Sequence, residues 1–240
     1  LTEIRRLQNQ MLHTERLVTI GQLSASVVHE INNPLTSISV YSEALLQKAQ
    51  ATEAPAQEVK RLERINQSAN RIFKFTQQLM AYARPTEEEP TLVDLCDVVK
   101  KSLGFCEHIL HKSGVQVVRE FDPDTPPVYG IEGQLEQVFV NLITNACHAM
   151  KSGGGTLTIQ IARAGEGTLS VKIQDEGEGI EPGRVKKIFD PFFTTKVEGE
   201  GTGLGLSIVK NIITNHDGDI TVSSTPGEGT AFTLTLYSSE

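Results

Sequence analysis

Apolar residues recur at two different periods along this chain, and the change falls near residue 85. In the first stretch Ile20, Val27, Ile31, Ile38 and Leu45 follow one another at steps of 7, 4, 7 and 7. With Ser24, Pro34 and Tyr41 they form a two-per-heptad stripe, the mark of a helix with a narrow seam. Leu62, Ile65, Ala69, Ile72 and Leu79 repeat the pattern after a break at Ala51–Ala56 that contains Pro55. Two such helices predict a hairpin over residues 1–84. A narrow seam on two helices buries little surface, so the hairpin is expected to pair with a second copy as a homodimer and complete a four-helix bundle. Pro34 lies inside the first helix and removes one backbone bond there, which predicts a kink just after His29.

Residues 85–90 are polar and hold two prolines, a linker signature. Beyond them the spacing predicts a helix over Asp94–Lys112, a strand over Val115–Phe121 and a helix over Glu132–Met150. Leu157, Ile159 and Ile161 alternate with polar residues, as do Leu169, Val171 and Ile173, around a turn at Gly165-Glu166-Gly167. A further helix is expected over Leu204–Asn215, and closing strands over Ile220–Ser223 and Phe232–Leu236. Strands with helices interspersed predict an α/β sandwich over residues 91–240.

Composition narrows the partners. The net charge of −8 and the lack of any Lys or Arg cluster argue against nucleic acid or an anionic membrane. Cys96, Cys106 and Cys147 make no CxxC pair, which suits a reducing, cytoplasmic setting better than a disulfide framework. No apolar run approaches the ~18 residues of a membrane span. The helical pattern is already running at Leu1, so an upstream part is expected, and that part could carry an anchor.

The candidate chemistry of the second half lies in its glycines and amides. There is no GK dipeptide and no GxGxxG, so the Walker and Rossmann fingerprints are absent. The glycines fall instead in Asp175-Glu176-Gly177-Glu178-Gly179, in Gly201-Thr202-Gly203-Leu204-Gly205, and in Gly227-Glu228-Gly229-Thr230. Glycines at a helix start let backbone N–H groups approach phosphates. Taken singly, each group reads first as a turn. Asn141 and Asn145 stand one helical turn apart on an otherwise apolar helix and project together. They suit either an inter-helix hydrogen bond or an oxygen ligand for magnesium near a triphosphate.

In this order the motifs resemble the ATP-binding domain of sensor histidine kinases, part of the gyrase–chaperone–kinase–mismatch-repair ATPase superfamily. The phenylalanine-rich run Phe189-Asp190-Pro191-Phe192-Phe193-Thr194-Thr195-Lys196 completes the set. His29-Glu30-Ile31-Asn32-Asn33-Pro34-Leu35 then resembles the family's dimerisation and phosphoacceptor hairpin, and the nitrogen-regulation-type branch is the most similar. The resemblance implies that Asp175 bonds the adenine amino group with Thr230 at the same edge. It implies further that Gly177, Gly179, Gly201, Gly203 and Gly205 shape the ATP site and that Asn145 ligates magnesium. Ile180–Thr202 would be a lid from which Lys196 reaches the phosphates. Asn141 stands where related ATPases carry a water-activating Glu, and an amide is no base. His148 departs from a common Lys, and its role is left open.

His29 is the expected phosphoacceptor. On the seam register it lies opposite the buried stripe and is exposed. Neutral imidazole predominates at pH 7. Glu30 is the candidate to take its proton, leaving the other ring nitrogen for attack on the γ-phosphorus. Asn33, one turn on, suits either orientation of a water against a partner's acyl phosphate or plain solvent exposure. The expected activity is ATP-dependent autophosphorylation of His29, transfer to an Asp of a response regulator receiver domain, and phosphatase action on that partner. The alternatives are a phosphatase-biased switch that uses ATP as a conformational ligand, and a non-catalytic dimeric scaffold.

Overall fold

The computed structural model describes residues 30–52, 54–83, 88–150, 153–165, 167–196 and 201–239, and at 74, 75 and 77–83 the backbone alone. The chain divides into two compact units. One takes in Leu1–Thr86 with Lys196–Thr202, and the other Glu87–Thr195 with Gly203–Glu240.

The first unit is built on α1, described over residues 30–51, and α2, Ala56–Ala83. Helix α1 runs through Pro34 without a break in its helical assignment. The stripe that α1 buries within one chain is a different one from the predicted seam. Asn32, Leu35, Ser39, Ser42, Leu46 and Ala49 recur at steps of 3 and 4 and are buried or half-buried. Ile38 and Leu45 of the predicted seam are 49% and 53% exposed, and Ile31 and Tyr41 lie outside as well. On α2, Leu62 and Ala69 turn inward while Ile65 and Ile72 remain exposed. The reason is steric and polar together. Small side chains let two helix backbones approach closely, and buried Thr76 donates its hydroxyl to Asn32 Oδ1 at 2.7 Å across the hairpin. The bulkier Ile and Leu side chains occupy the neighbouring stripe. Ile20, Ser24, Val27 and His29 lie outside the described residues, as does the Leu79 side chain.

The second unit is an α/β sandwich. Its main sheet has the order β2-β4-β5-β7-β6: Val115–Phe121, Gly155–Gly165, Thr168–Asp175, Gly229–Tyr237 and Asp219–Thr225. Only β2 and β4 run parallel; the other neighbours are antiparallel. Alternation decides which face is covered. Leu157, Ile159, Ile161, Leu169, Val171, Ile173, Leu234 and Leu236 are all buried, whereas the residues between them are polar and partly open. Against the apolar face lie α3 (Leu95–Phe105), α5 (Glu132–Ala149) and α7 (Gly205–Asn215). Phe139, Leu142 and Ile143 of α5 and Ile208, Val209 and Ile213 of α7 form the centre of this core.

Three features depart from the sequence expectations. The helix expected over Asp94–Lys112 is two helices, α3 and α4 (Glu107–Lys112), parted at Cys106. Asp94 is the N-cap, its carboxylate accepting from the Cys96 and Asp97 amides. Gly104, a poor helix former, precedes the break, and the turn lets both Cys106 and Leu110 bury. A two-stranded sheet, β1 (Thr91–Val93) with β3 (Val128–Gly130), has no counterpart in the periodicity, because three-residue strands carry none. One short helix, α6 (Pro182–Val185), also lies within the expected lid.

His216 fastens the end of α7 to the start of α5. Its Nε2 accepts the Ile131 amide at 3.0 Å, so Nδ1 carries the proton and donates to the Ile212 carbonyl at 2.8 Å.

The hairpin's polar tie is testable. Thr76→Val keeps the shape but leaves Asn32 without its donor, at a cost of about 1–3 kcal/mol. A lower thermal midpoint is expected for unfolding of the helical unit; an unchanged midpoint would show that the tie carries no stability.

Candidate functional site

Three side chains stand abreast across the main sheet. Antiparallel pairing sets Asp175 of β5 opposite Thr230 of β7, and Thr230 opposite Ser224 of β6. Directly opposed residues share a face, so all three point the same way. The next residue in the row is fully buried Leu157. Asp175 is 6% exposed. Burial pushes its carboxyl above the ordinary carboxylate range, and Glu178 adds to this. The backbone N–H groups of Gly177 and Thr230 oppose the rise by donating to the ionised form. The Gly177 bond to Asp175 Oδ1 measures 2.9 Å.

The loop after Asp175 lies against the end of α5. A Cβ on Gly177 would sit 2.6 Å from Ala149 Cβ and 2.8 Å from Asp175 Oδ1, so only glycine fits. The Glu178 amide donates to the Ala149 carbonyl at 3.2 Å. Gly179 is as tightly confined by the turn between β6 and β7: its Cβ would meet the Thr225 carbonyl oxygen at 2.1 Å. Gly229 starts β7 at φ +117°, and a Cβ there would come within 1.9 Å of the Asp175 carbonyl oxygen. The first and third glycine groups therefore meet beside Asp175, Gly177 at its carboxylate and Gly229 at its backbone carbonyl.

The second group reaches the same side through α7. Gly205 opens that helix, and a Cβ there would lie 3.7 Å from Asn141 Oδ1 and 4.0 Å from Asn145 Nδ2. The N-terminus of α7 has no side-chain cap, so its first amides are donors without an intrahelical partner. Gly203 has φ +68°, and its carbonyl accepts the Phe192 amide at 2.9 Å. This bond closes the base of the segment between them.

Asn141 carries the clearest sign of a missing partner. Its Nδ2 is buried and makes no hydrogen bond. An orphaned buried donor costs about 1–3 kcal/mol, and a ligand oxygen at the face shared with Gly205 would recover it. Among the described residues no three His, Cys, Asp or Glu side chains group as a metal cage. The donors here are amides, which suits a magnesium ion held largely by water and phosphate oxygens.

The structure thus gathers Asn141, Asn145, Asp175, Gly177, Gly179, Gly203, Gly205 and Thr230 in the second unit. Lys196 and Gly201 belong to Lys196–Thr202, which groups with the first unit, and residues 197–200 of the expected lid lie outside the described residues. Glu30 and Asn33 are exposed on α1. Neighbouring Asn32 is engaged with Thr76. The three cysteines are free, and burial raises the Cys147 thiol to about 11. Sequence reasoning missed Ser224, which pairing across the Pro226–Glu228 turn would have placed beside Thr230.

Two family models match in tandem. Residues 19–88 match the His Kinase A (phospho-acceptor) domain, and residues 130–240 match the histidine kinase-, DNA gyrase B- and HSP90-like ATPase. The chain belongs to the sensor histidine kinases. Among curated histidine kinases it is similar to AtoS of Escherichia coli K12, 38% identical over 98% of this chain and 38% of AtoS. It is also similar to the sensor histidine kinase ZraS of Salmonella typhi, 33% identical over 97% of this chain and 49% of ZraS. The chain therefore spans less than half the length of these curated kinases. Full-length ShkA, solved in complex with AMPPNP, shares the fold with a TM-score of 0.73 at 22% identity, over 91% of this chain and 46% of ShkA. No helix among the described residues is long and apolar enough to cross a membrane.

The burial of Asp175 in this histidine kinase fixes a pH dependence. Folding raises the carboxyl's pKa, so between the unfolded and folded values the native state binds more protons. Stability then falls as pH rises through that window, and the penalty is complete above it. Asp175→Asn removes the charge and keeps a carbonyl oxygen for the Gly177 amide. The variant is expected to melt higher than the parent at neutral pH, with the gap closing below about pH 4. A gap independent of pH would contradict the assignment.

Proposed function

We propose that this chain is the catalytic core of a two-component sensor kinase, which uses ATP to phosphorylate His29. The observation that carries the reading is the unsatisfied Asn141 amide beside Gly205 at the start of α7, in the same unit as a buried acid, Asp175, enclosed by Gly177 and Gly229. Asp175 accepts from the adenine amino group with Thr230 at the same edge. The amides opening α7, with Gly203 and Gly205, receive the phosphates. Asn145 supplies a protein oxygen to magnesium, which neutralises charge on the β- and γ-phosphates. Asn141 holds the nucleotide by its amide and provides no base for hydrolysis. Lys196 and Gly201 complete the phosphate side, as the family resemblance implies.

His29 acts as a neutral nucleophile. One ring nitrogen attacks the γ-phosphorus, a nitrogen–phosphorus bond forms, and the bond to the β,γ-bridging oxygen breaks, releasing ADP. Glu30, exposed on α1, takes the proton from the other ring nitrogen. The phosphoryl group then passes to an Asp of a response regulator receiver domain. Asn33 is exposed on α1 while Asn32 is engaged across the hairpin. That division favours Asn33 as the amide that orients water when the regulator is dephosphorylated. The exposed stripe of Ile31, Ile38, Leu45, Ile65 and Ile72 supports a homodimeric four-helix bundle. The helical hairpin of residues 1–84, the linker at 85–90 and the ATP-binding domain of 91–240 act as separate parts in the cytoplasm. Placement in the nitrogen-regulation branch rests on the HEINNPL and FFTTK runs.

Incubation with γ-labelled ATP and magnesium tests this. His29→Gln is expected to lose at least about 100-fold of the acid-labile label while ADP binding is unchanged. Asn33→Ala should keep the label and lose phosphatase action on the phosphorylated regulator. Label retained by His29→Gln would sink the assignment.

A further inference from the structure

Ser224 is not used by the function proposed above, yet its hydroxyl meets three partners. Ser224 Oγ accepts the Ile180 amide at 2.8 Å. It lies 2.9 Å from the Gly229 carbonyl oxygen and 2.9 Å from Thr230 Oγ1. A hydroxyl has one proton to give. The Gly229 carbonyl can only accept, so the Ser224 proton goes there. In the remaining contact Thr230 is then the donor. Its proton is spent on Ser224, and Thr230 Oγ1 keeps only lone pairs for anything else.

Thr230 stands directly opposite Asp175, whose carboxylate also offers lone pairs only once ionised. Two acceptors are therefore side by side on one edge of the sheet. An exocyclic amino group carries two N–H donors and satisfies such a pair. A ring carbonyl in the same place would oppose it with lone pairs and leave buried acceptors unpaired, the kind of mismatch that discriminates strongly. We propose that Ser224 is a positioning residue that sets purine specificity: by holding the Thr230 hydroxyl as a donor toward β6, it makes the site read a 6-amino purine and reject a 6-keto purine. The same hydroxyl secures Ile180, the first residue beyond the Asp175–Gly179 loop. A second strap, from the Gly227 amide to the Glu178 carbonyl at 2.8 Å, fixes the β6–β7 turn to that loop. Ser224 thus cannot turn away without releasing the Ile180 amide.

This inference rests on the reading of the second unit as a nucleotide site, and the test separates the two. ADP and IDP, which cannot donate a γ-phosphoryl group, are titrated calorimetrically against the whole chain, the parent and its variants. The parent is expected to prefer ADP. In Ser224→Ala the Thr230 hydroxyl is free to donate to a keto oxygen, and the ratio of the two dissociation constants should fall about fivefold, the scale of one neutral hydrogen bond. Ser224→Thr keeps the hydroxyl and should keep the ratio, which a merely structural role would not require. Should Ser224→Ala fail to fold, Thr230→Val removes the lone pairs themselves and should lower the ratio likewise. An unchanged ratio in a folded variant that still binds ADP overturns the proposal and leaves the nucleotide reading standing. Binding of neither nucleotide by the parent overturns both.

Discussion

A carboxylate carried into an apolar sheet is the constraint on which the second unit depends. Asp175 ends a strand whose other inward residues are Leu169, Val171 and Ile173, and its neighbour across β4 is Leu157. A charge so placed is costly unless donors meet it. The donors come from the backbone, at Gly177 and Thr230, and their closeness is possible only because glycines stand at 177 and 229. The tight loop after β5, the seating of that loop on Ala149 and the start of β7 all follow from supplying one buried acid. What remains exposed of that acid is an acceptor with a fixed direction, suited to recognition rather than to stability.

The same economy of position explains how the helices serve the site. Helix α5 gives its apolar face to the core and turns Asn141 and Asn145 toward Gly205, the first residue of α7. The His216 bridge fixes the far end of α7 against the start of α5. The two helices are thus tied at one end and joined by polar groups at the other, where the Asn141 amide lacks a partner. In the first unit the division of labour is similar. Asn32 is spent on holding the hairpin, and Asn33, one residue on, is left at the surface.

Much of this was legible in the sequence, for definite reasons. Long alternating strands and the apolar run of α5 announce themselves because burial of one face forces a period. The glycine groups and the Asn pair could be named in order, since close backbone approach admits little else. Strands β1 and β3 were not legible, being too short to show a period. The contact between the two helices of one hairpin was not legible, because the large aliphatic stripe lies outside it and is left for a second copy. The chain instead buries a stripe of Asn, Ser and Ala that reads as polar until Thr76 is seen to satisfy it. Ser224 was missed because its partners are set by strand register across a turn. The break at Cys106 depends on which of two adjacent residues is buried, and helical spacing alone does not decide that.

The central claim is that Asp175, Thr230 and the Asn pair form one nucleotide site. A crystal structure of the chain with a non-hydrolysable ATP analogue and magnesium tests it most directly. The account predicts the adenine amino group within hydrogen-bonding distance of the Asp175 carboxylate and magnesium on the Asn145 side-chain oxygen. It also predicts the Asn141 amide satisfied by a ligand oxygen. A nucleotide bound elsewhere, or bound here with its base away from Asp175, would contradict it.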